Sequence, residues 1–381
     1  MPYHIDIWHN ILWSRYKGAV FSALHALNDP HSFEIKFFQI AETDQDRAGL
    51  SNVDTSYHNY PYTLLFQGAL SRVGFLKKLL SIARLTLRSD ADITLLTGYE
   101  RPETWLQILI IKLKRKKAVL FCDSTIYDNP QSLLSGLLKR IIFTSADGIF
   151  GYGQRAKEYA VHYGTNPSRI HFRCQAAALP HNYDPQKALE GRLSHAATPA
   201  SPRFLYVGRL SPEKNLGRLL EAFSTIKKSH AKAELVLVGS GKEQASLEAT
   251  ARKLDLNPNE LFLGSKSGED LFKEYARATC LVLPSISEPW GLVVNEAMHY
   301  GCPAIVSERC GCVPELVLEG KTGFCHKAFD VDDLAAKMRA AIASFADTEK
   351  TARACLDLIK NYTPEKAAQQ ILRGCQQILT R

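Results

Sequence analysis

The feature that most constrains this chain is an alternation in its C-terminal half between short β-rich apolar runs and stretches with helix-spaced apolar positions. The runs are RFLYVG (203–208), ELVLVG (234–239), LFLG (261–264), TCLVLP (279–284) and PAIVS (303–307). Around them lie LGRLLEAFSTIKK, KEQASLEATARKLDL, EDLFKEYARA, LVVNEAMHYG and VDDLAAKMRAAIASF, whose apolar residues recur three and four apart. Strands separated by helices are joined by crossovers, so they pair in parallel, and a parallel sheet needs helices to cover it. The N-terminal half repeats the rhythm less clearly, with YHIDIW, FEIKFFQI, ITLLTG, KAVLFC and GIFGYG as strands. At 381 residues the chain exceeds what one core sustains. The alternation therefore predicts an α/β fold of two Rossmann-like, doubly wound parallel-sheet domains. The stretch 185–202 (PQKALEGRLSHAATPASP) loses periodicity and gathers Ala, Ser, Thr and Pro, which predicts a linker between a domain at 1–184 and another at 203–361.

Composition removes other classes. Hydrophobic residues at 45% and charged residues at 23% are globular usage, so disorder and fibrous repeats are excluded. Apolar runs such as LQILII fall short of the roughly 20 residues of a membrane-spanning helix. MPYHIDIWHN has no basic stretch followed by an apolar one, so a cytoplasmic location is expected. Nine cysteines, with no CxxC pair, read as reduced core thiols. Residues 1–200 carry 23 Lys and Arg against 17 Asp and Glu, which makes the N-terminal half the more basic. Two stretches there, 64–88 and 105–117, mix basic residues with Leu and Ile, a pattern of membrane surfaces and equally of packing helices with solvated ends. Lys112, Lys114, Arg115, Lys116 and Lys117 are the expected contacts to anionic lipid. Nucleic acid is disfavoured, because these cations are not interleaved with stacking aromatics.

In open parallel sheets ligands bind beyond the carboxyl ends of the strands, so the loops after each run carry the argument. After TCLVLP comes SISEPWGLVVNEAM, where Gly291 permits close backbone approach and the next helix opens with free N–H groups, an anion site. Glu288 and Glu296 flank it, and carboxylates suit vicinal sugar hydroxyls better than phosphate. A sugar, a diphosphate and a ribose would satisfy the whole loop; a solvated Glu288 and a Glu296 paired with a nearby base is the plain alternative. After RFLYVG, Arg209 and Lys214 could pinch an anion against the following helix, or could be solvated charges around a Ser-Pro turn. Gly239-Ser240-Gly241 fails as a dinucleotide fingerprint because Gln244 occupies its sixth position, which also weakens a nicotinamide oxidoreductase reading. It reads as a tight turn whose backbone could edge a nucleobase. Asp90-Ala91-Asp92 precedes its strand, on the side away from the loops, and His162, His171 and His181 are too scattered for a metal site.

The motifs VGRLSPEKN (207–215), VGSG (238–241), SEPWGLVVNEAMHYGCPAIVS (287–307) and GCVPELVLEGKTG (311–323) resemble the retaining family-4 glycosyltransferases of GT-B fold, over about 203–345. The resemblance implies two domains facing a cleft, with a C-terminal helix at 362–381 returning to the first. It implies that Arg209 and Lys214 hold a nucleotide diphosphate, Glu288 the donor sugar and Glu296 the ribose. The backbone of Trp290, Gly291, Leu292 and Val293 would meet the distal phosphate, Gly239 would lie at the donor, and no metal or other cofactor would be needed. In the first domain the family's Gly-Gly turn is reduced here to Gly18, which by the resemblance would serve the donor alone. Where members often carry a His facing the sugar, this chain has Asp123 and Ser124; Asp123 could bind a hydroxyl or simply cap a helix. The resemblance leads to a retaining, metal-independent hexosyltransferase using a UDP- or GDP-sugar, with a lipid-linked saccharide acceptor in surface polysaccharide or lipopolysaccharide assembly. A soluble acceptor and a non-catalytic peripheral membrane module are the alternatives.

Overall fold

A computed structural model describes residues 2–44, 53–128 and 133–381. The chain forms two units, Met1–Ala178 with Thr363–Arg381, and Leu179–Tyr362. In the first, β1 (Tyr3–Ile11), β2 (Phe33–Thr43), β3 (Tyr62–Ala69), β4 (Ile93–Leu96), β5 (Lys117–Cys122), β6 (Gly148–Gly151) and β7 (Ile170–His171) make a parallel sheet ordered β3-β2-β1-β4-β5-β6-β7. Its helices are α1 (Arg15–Leu27), α2 (Phe75–Arg88), α3 (Pro102–Leu113), α4 (Leu133–Ser145) and α5 (Gln154–His162). The crossovers carrying α2, α3, α4 and α5 all step one way across the sheet, so right-handed connection puts these helices on one face; α1 steps back and lies on the other. Consecutive strand residues then serve opposite cores. Trp8, Leu96 and Leu120 pack with Ile82, Ile108, Ile111 and Phe143, whereas Ile7, Leu95 and Val119 pack with Phe21 and Leu24.

The second unit opens with α6 (Pro185–His195) and continues through β8 (Arg203–Val207), α7 (Leu216–Ser229), β9 (Glu234–Val238), α8 (Gln244–Lys253), α9 (Pro258–Leu261), β10 (Phe262–Gly264), α10 (Gly268–Arg277) and β11 (Cys280–Leu283). It closes with α11 (Leu292–His299), β12 (Ala304–Ser307), α12 (Val313–Leu316), β13 (Gly323–His326), α13 (Val331–Ser344) and α14 (Thr348–Ile359). The parallel sheet is ordered β10-β9-β8-β11-β12-β13. The chain then returns to the first unit as α15 (Pro364–Leu379), which lays Ala367, Ala368, Ile371, Cys375 and Ile378 against Phe21, Leu24 and Phe150.

The expected linker at 185–202 differs from the structure. Residues 185–195 are α6, an integral helix of the second unit, and only residues 196–202 are irregular. Asp184 caps α6 by accepting from the Gln186 and Lys187 amides at 2.7 and 3.0 Å, and Pro185 sits where its missing N–H costs nothing. Arg192, buried to 2% exposure, donates to the Tyr275 and Ala276 carbonyls at 3.2 and 3.0 Å, and to those of Ala278 and Thr279. It closes the C-terminal end of α10, where carbonyls lack helical partners and a cation meets the negative end of the dipole.

Candidate functional site

In the second sheet the strand order runs from β8 outward through β9 to β10, and then from β11 outward through β12 to β13. The reversal falls between β8 and β11, so the loops leaving these two strands border the crevice where ligands of such sheets bind. They are the 208–215 and 284–291 loops that the sequence singles out.

The two loops are tied together. Lys214 Nζ donates to Glu288 Oε2, the Ile286 amide donates to the Glu213 carbonyl at 2.9 Å, and Asn215 Nδ2 donates to the Pro284 carbonyl at 3.1 Å. Asn215 takes a left-handed conformation, φ 58°, and is fixed by a second bond to Ala328 O at 2.9 Å. The Lys214 and Glu288 side chains are only 13% and 16% exposed, so the pair holds opposite charges together where water screens them weakly. Arg209 is far more open, at 47%, and pairs with Glu213 at 3.1 Å. Gly291 has φ 100°, a region other residues enter only with strain, and the amides of Leu292 and Val293 follow it as the first turn of α11, where the helix supplies no acceptor. Glu296, a turn further along, accepts from the buried Tyr275 hydroxyl at 3.0 Å. Burial first, and the neighbouring Glu296 next, push the Tyr275 hydroxyl well above its ordinary range.

At two of the expected donor positions, Trp290 and Gly239, packing fixes the backbone that the loop presents. Trp290 is buried and its Nε1 donates to Asn295 Oδ1 at 2.8 Å, so only its backbone belongs to the loop. At Gly239 a side chain is excluded by the protein itself, since a Cβ would fall 1.9 Å from the Gly208 carbonyl oxygen. That packing leaves Leu210 N to donate to Ser240 O at 2.9 Å, which joins the 208–215 loop to the glycine turn.

The first sheet reverses between β1 and β4. There a cavity of about 230 Å³ is lined by Asn10, Ser14, Lys17, Arg101, Asp123 and Ser124 among others. Asp123 and Ser124 thus stand side by side at its wall, Ser124 receiving a hydrogen bond from the Tyr99 hydroxyl. Lys17, which sequence reasoning passes over, is 2% exposed; its Nζ lies 4.3 and 4.9 Å from the ring centroids of Phe121 and Tyr152 and has no hydrogen-bond partner among the described residues. Burial lowers its pKa to about 8 against the opposing pull of Asp123, and burial raises that of Asp123 against the pull of Lys17. Gly18 is not part of the cavity lining. It sits in the first turn of α1, where a Cβ would come 2.8 Å from the His58 ring, so the imidazole packs closely against it. Asp90 and Asp92 lie before β4, at the other end of the sheet; Asp92 accepts from the His4 amide and from Lys116. Among the described residues no three His, Cys, Asp or Glu cluster as metal ligands.

Residues 192–355 match the family described as glycosyl transferases group 1. The second unit belongs to that family. Over 183 residues this chain is 32% identical to sulfoquinovosyl transferase SQD2 of Arabidopsis thaliana, a match covering 47% of the chain and 34% of the relative. Glycogen synthase of Mycobacterium tuberculosis is 35% identical over 39% of the chain and 36% of the relative, so the chain spans about a third of the length of these curated relatives. Among solved structures, Anabaena HepE in complex with UDP aligns over 99% of this chain and 100% of its own, with a TM-score of 0.72 at 17% identity. At that identity the likeness establishes the fold, which is the GT-B type of the group 1 glycosyl transferases.

Proposed function

We propose that the protein transfers a hexosyl group, with retention and without a metal ion, from a UDP- or GDP-sugar to a saccharide acceptor. The observation carrying this reading is the junction of Lys214 with Glu288 at the reversal of the second sheet, beside the helix that Gly291 opens. Lys214 and Arg209 take the diphosphate, the Leu292 and Val293 amides its distal phosphate, Glu288 the donor hydroxyls and Glu296 the ribose. In the reaction the bond from the anomeric carbon to the diphosphate oxygen breaks, and its electron pair leaves with the diphosphate. The acceptor oxygen bonds to that carbon on the same face, and its proton passes to the departing phosphate oxygen, so no enzymic nucleophile is needed. The Lys214 and Arg209 cations stabilise the charge that develops there.

The acceptor takes the cavity of the first unit, where Asp123 accepts a hydrogen bond from its hydroxyl and Lys17 donates one. We further propose that it is lipid-linked and belongs to surface polysaccharide or lipopolysaccharide assembly at the cytoplasmic face of the membrane. Support for UDP comes from HepE, crystallised with UDP and with UDP-glucose, and for the acceptor from WaaB, a lipopolysaccharide outer core galactosyltransferase of the same fold. The test is turnover of UDP- and GDP-sugars with and without EDTA. Activity should survive chelation, and Lys214→Ala, once shown to be folded, should lose at least about 100-fold in kcat. Loss on chelation that manganese or magnesium restores would refute the metal-free reading.

A further inference from the structure

We propose that the outer surface of α2, α3 and α4 docks on an anionic lipid bilayer. The inference stands on this surface alone and does not require the transfer reading. These three helices share one face of the first sheet, and their inward residues, Ile82, Ile108, Ile111, Ile142 and Phe143, fill the core beneath. Their outward residues should then be polar, yet Leu76, Leu80 and Leu87 on α2 are 60–66% exposed, and Leu109 and Leu113 on α3 are 55% and 75% exposed. On α4, Leu137 and Ile141 are 58% and 57% exposed. Spacings of four and seven residues align each set as a stripe along its helix, and α2 packs directly on α3, so their stripes join into one apolar surface, with the α4 stripe further along the same face of the sheet. Soluble surfaces rarely carry such a patch without a partner.

Charge selects the partner. The three helices carry Lys77, Lys78, Arg84, Arg88, Lys112, Lys139 and Arg140 against a single acid, Glu103, which is buried and paired with Lys78 at 2.9 Å. Lys112 pairs with Asp147 at 2.6 Å, whereas Lys77, Arg84, Arg88 and Arg140 carry no ion pair among the described residues. The cations expected from sequence are largely engaged elsewhere. Lys116 pairs with Asp92 at 2.7 Å and Lys114 donates to the Leu87 carbonyl at 3.0 Å, so the free positive charge shifts from the 112–117 run onto α2. A second copy of the chain would bring like charges face to face across a symmetric contact. An anionic bilayer meets both requirements, since leucines enter the interfacial layer while Lys and Arg reach headgroup phosphates.

The test is flotation of the full chain with vesicles of phosphatidylcholine alone or equimolar with phosphatidylglycerol, at 0.1 M and 1 M salt, where the Debye length falls from about 10 Å to about 3 Å. The chain should float with anionic vesicles at low salt and stay behind with neutral ones. Leu76→Ser/Leu80→Ser/Leu109→Ser should abolish binding with an unchanged Tm, because all three side chains are exposed. Lys77→Ala and Arg84→Ala should each weaken partitioning by roughly fivefold. Wild-type chain left behind in all four conditions, or a triple variant that floats like wild type, would overturn the proposal. So would a lipid-free dimer dissolved by the same leucine substitutions. Transfer to a soluble saccharide, assayed without vesicles, reports on the catalytic reading independently.

Discussion

Lys17 is the side chain that packing alone explains least well. An ammonium with no hydrogen-bond partner is costly to bury, and the first turn of α1 places it at the positive end of the helix dipole. Only the rings of Phe121 and Tyr152 and the nearby Asp123 offset this. Its folded pKa, about 8, lies below the 10.5 of an unperturbed lysine, so the folded state favours the neutral amine. The destabilisation is therefore full below about pH 8 and fades as pH rises to about 10.5. Lys17→Met should raise stability at pH 7 by up to about 3 kcal/mol, at 1.36 kcal/mol per pKa unit, with the gain vanishing by about pH 11 and acceptor use impaired. Denaturant unfolding at both pH values checks it, and a variant less stable than wild type at pH 7 would remove the functional argument for this lysine. In the second unit, Glu296 keeps one oxygen on Tyr275. If the carboxylate also reads ribose, Glu296→Ala should weaken nucleoside diphosphate binding by about 1.5 to 3 kcal/mol. Calorimetry with UDP and GDP would show unchanged affinity if the carboxylate serves only Tyr275.

Elements are legible where burial writes itself as an apolar run. β8, β9 and β11 are buried strands flanked by helices of clear periodicity, and the two loops that meet at the sheet reversal can be named because motif residues stand there in sequence. β3 is hidden for the opposite reason: it is an edge strand, half-buried on both faces, and Tyr62–Ala69 runs into the basic helix behind it as one apolar stretch. β7 has two residues and β13 opens on a glycine, too little for a period to show. α6 reads as a linker because its buried side chains are Ala188, Leu189 and Arg192, and a buried arginine leaves no mark in an apolar pattern. Asp184-Pro185 is the available signal, a helix-start pair. If α6 is integral, Arg192→Ala should cost at least about 3 kcal/mol, because several buried carbonyls at the end of α10 lose their donor at about 1 kcal/mol or more each. Asp184→Ala should cost about 1 kcal/mol. Thermal unfolding decides between this and a linker, for which both changes would fall within about 0.5 kcal/mol of zero.

At the scale of the whole molecule, the two units are not consecutive along the chain. The first unit is discontinuous, because α15 supplies part of the core on the α1 face of its sheet only after the second unit has been made. Ile371 and Ile378 are each 1% exposed, as is Cys375, and Ala367 and Ala368 are equally buried. Burying an isoleucine contributes about 1.5 to 3 kcal/mol, so these two alone contribute about 3 to 6. Removing α15 would also uncover Phe21, Leu24 and Phe150, against which it packs. A domain stable by only about 5 to 15 kcal/mol has little left after such a loss. The second unit contains both sheet-reversal loops, with every contact that ties them lying within Leu179–Tyr362. Truncation after Tyr362 should therefore unfold the first unit and leave the second folded. Hydrogen exchange can follow both at once: amides of β1, β4 and β5 should lose protection, those of β8 and β11 should keep it, and a peptide of residues 363–381 added in trans should restore the first set. Protection of β1 and β5 that survives truncation would mean that α15 covers the first unit without holding it together.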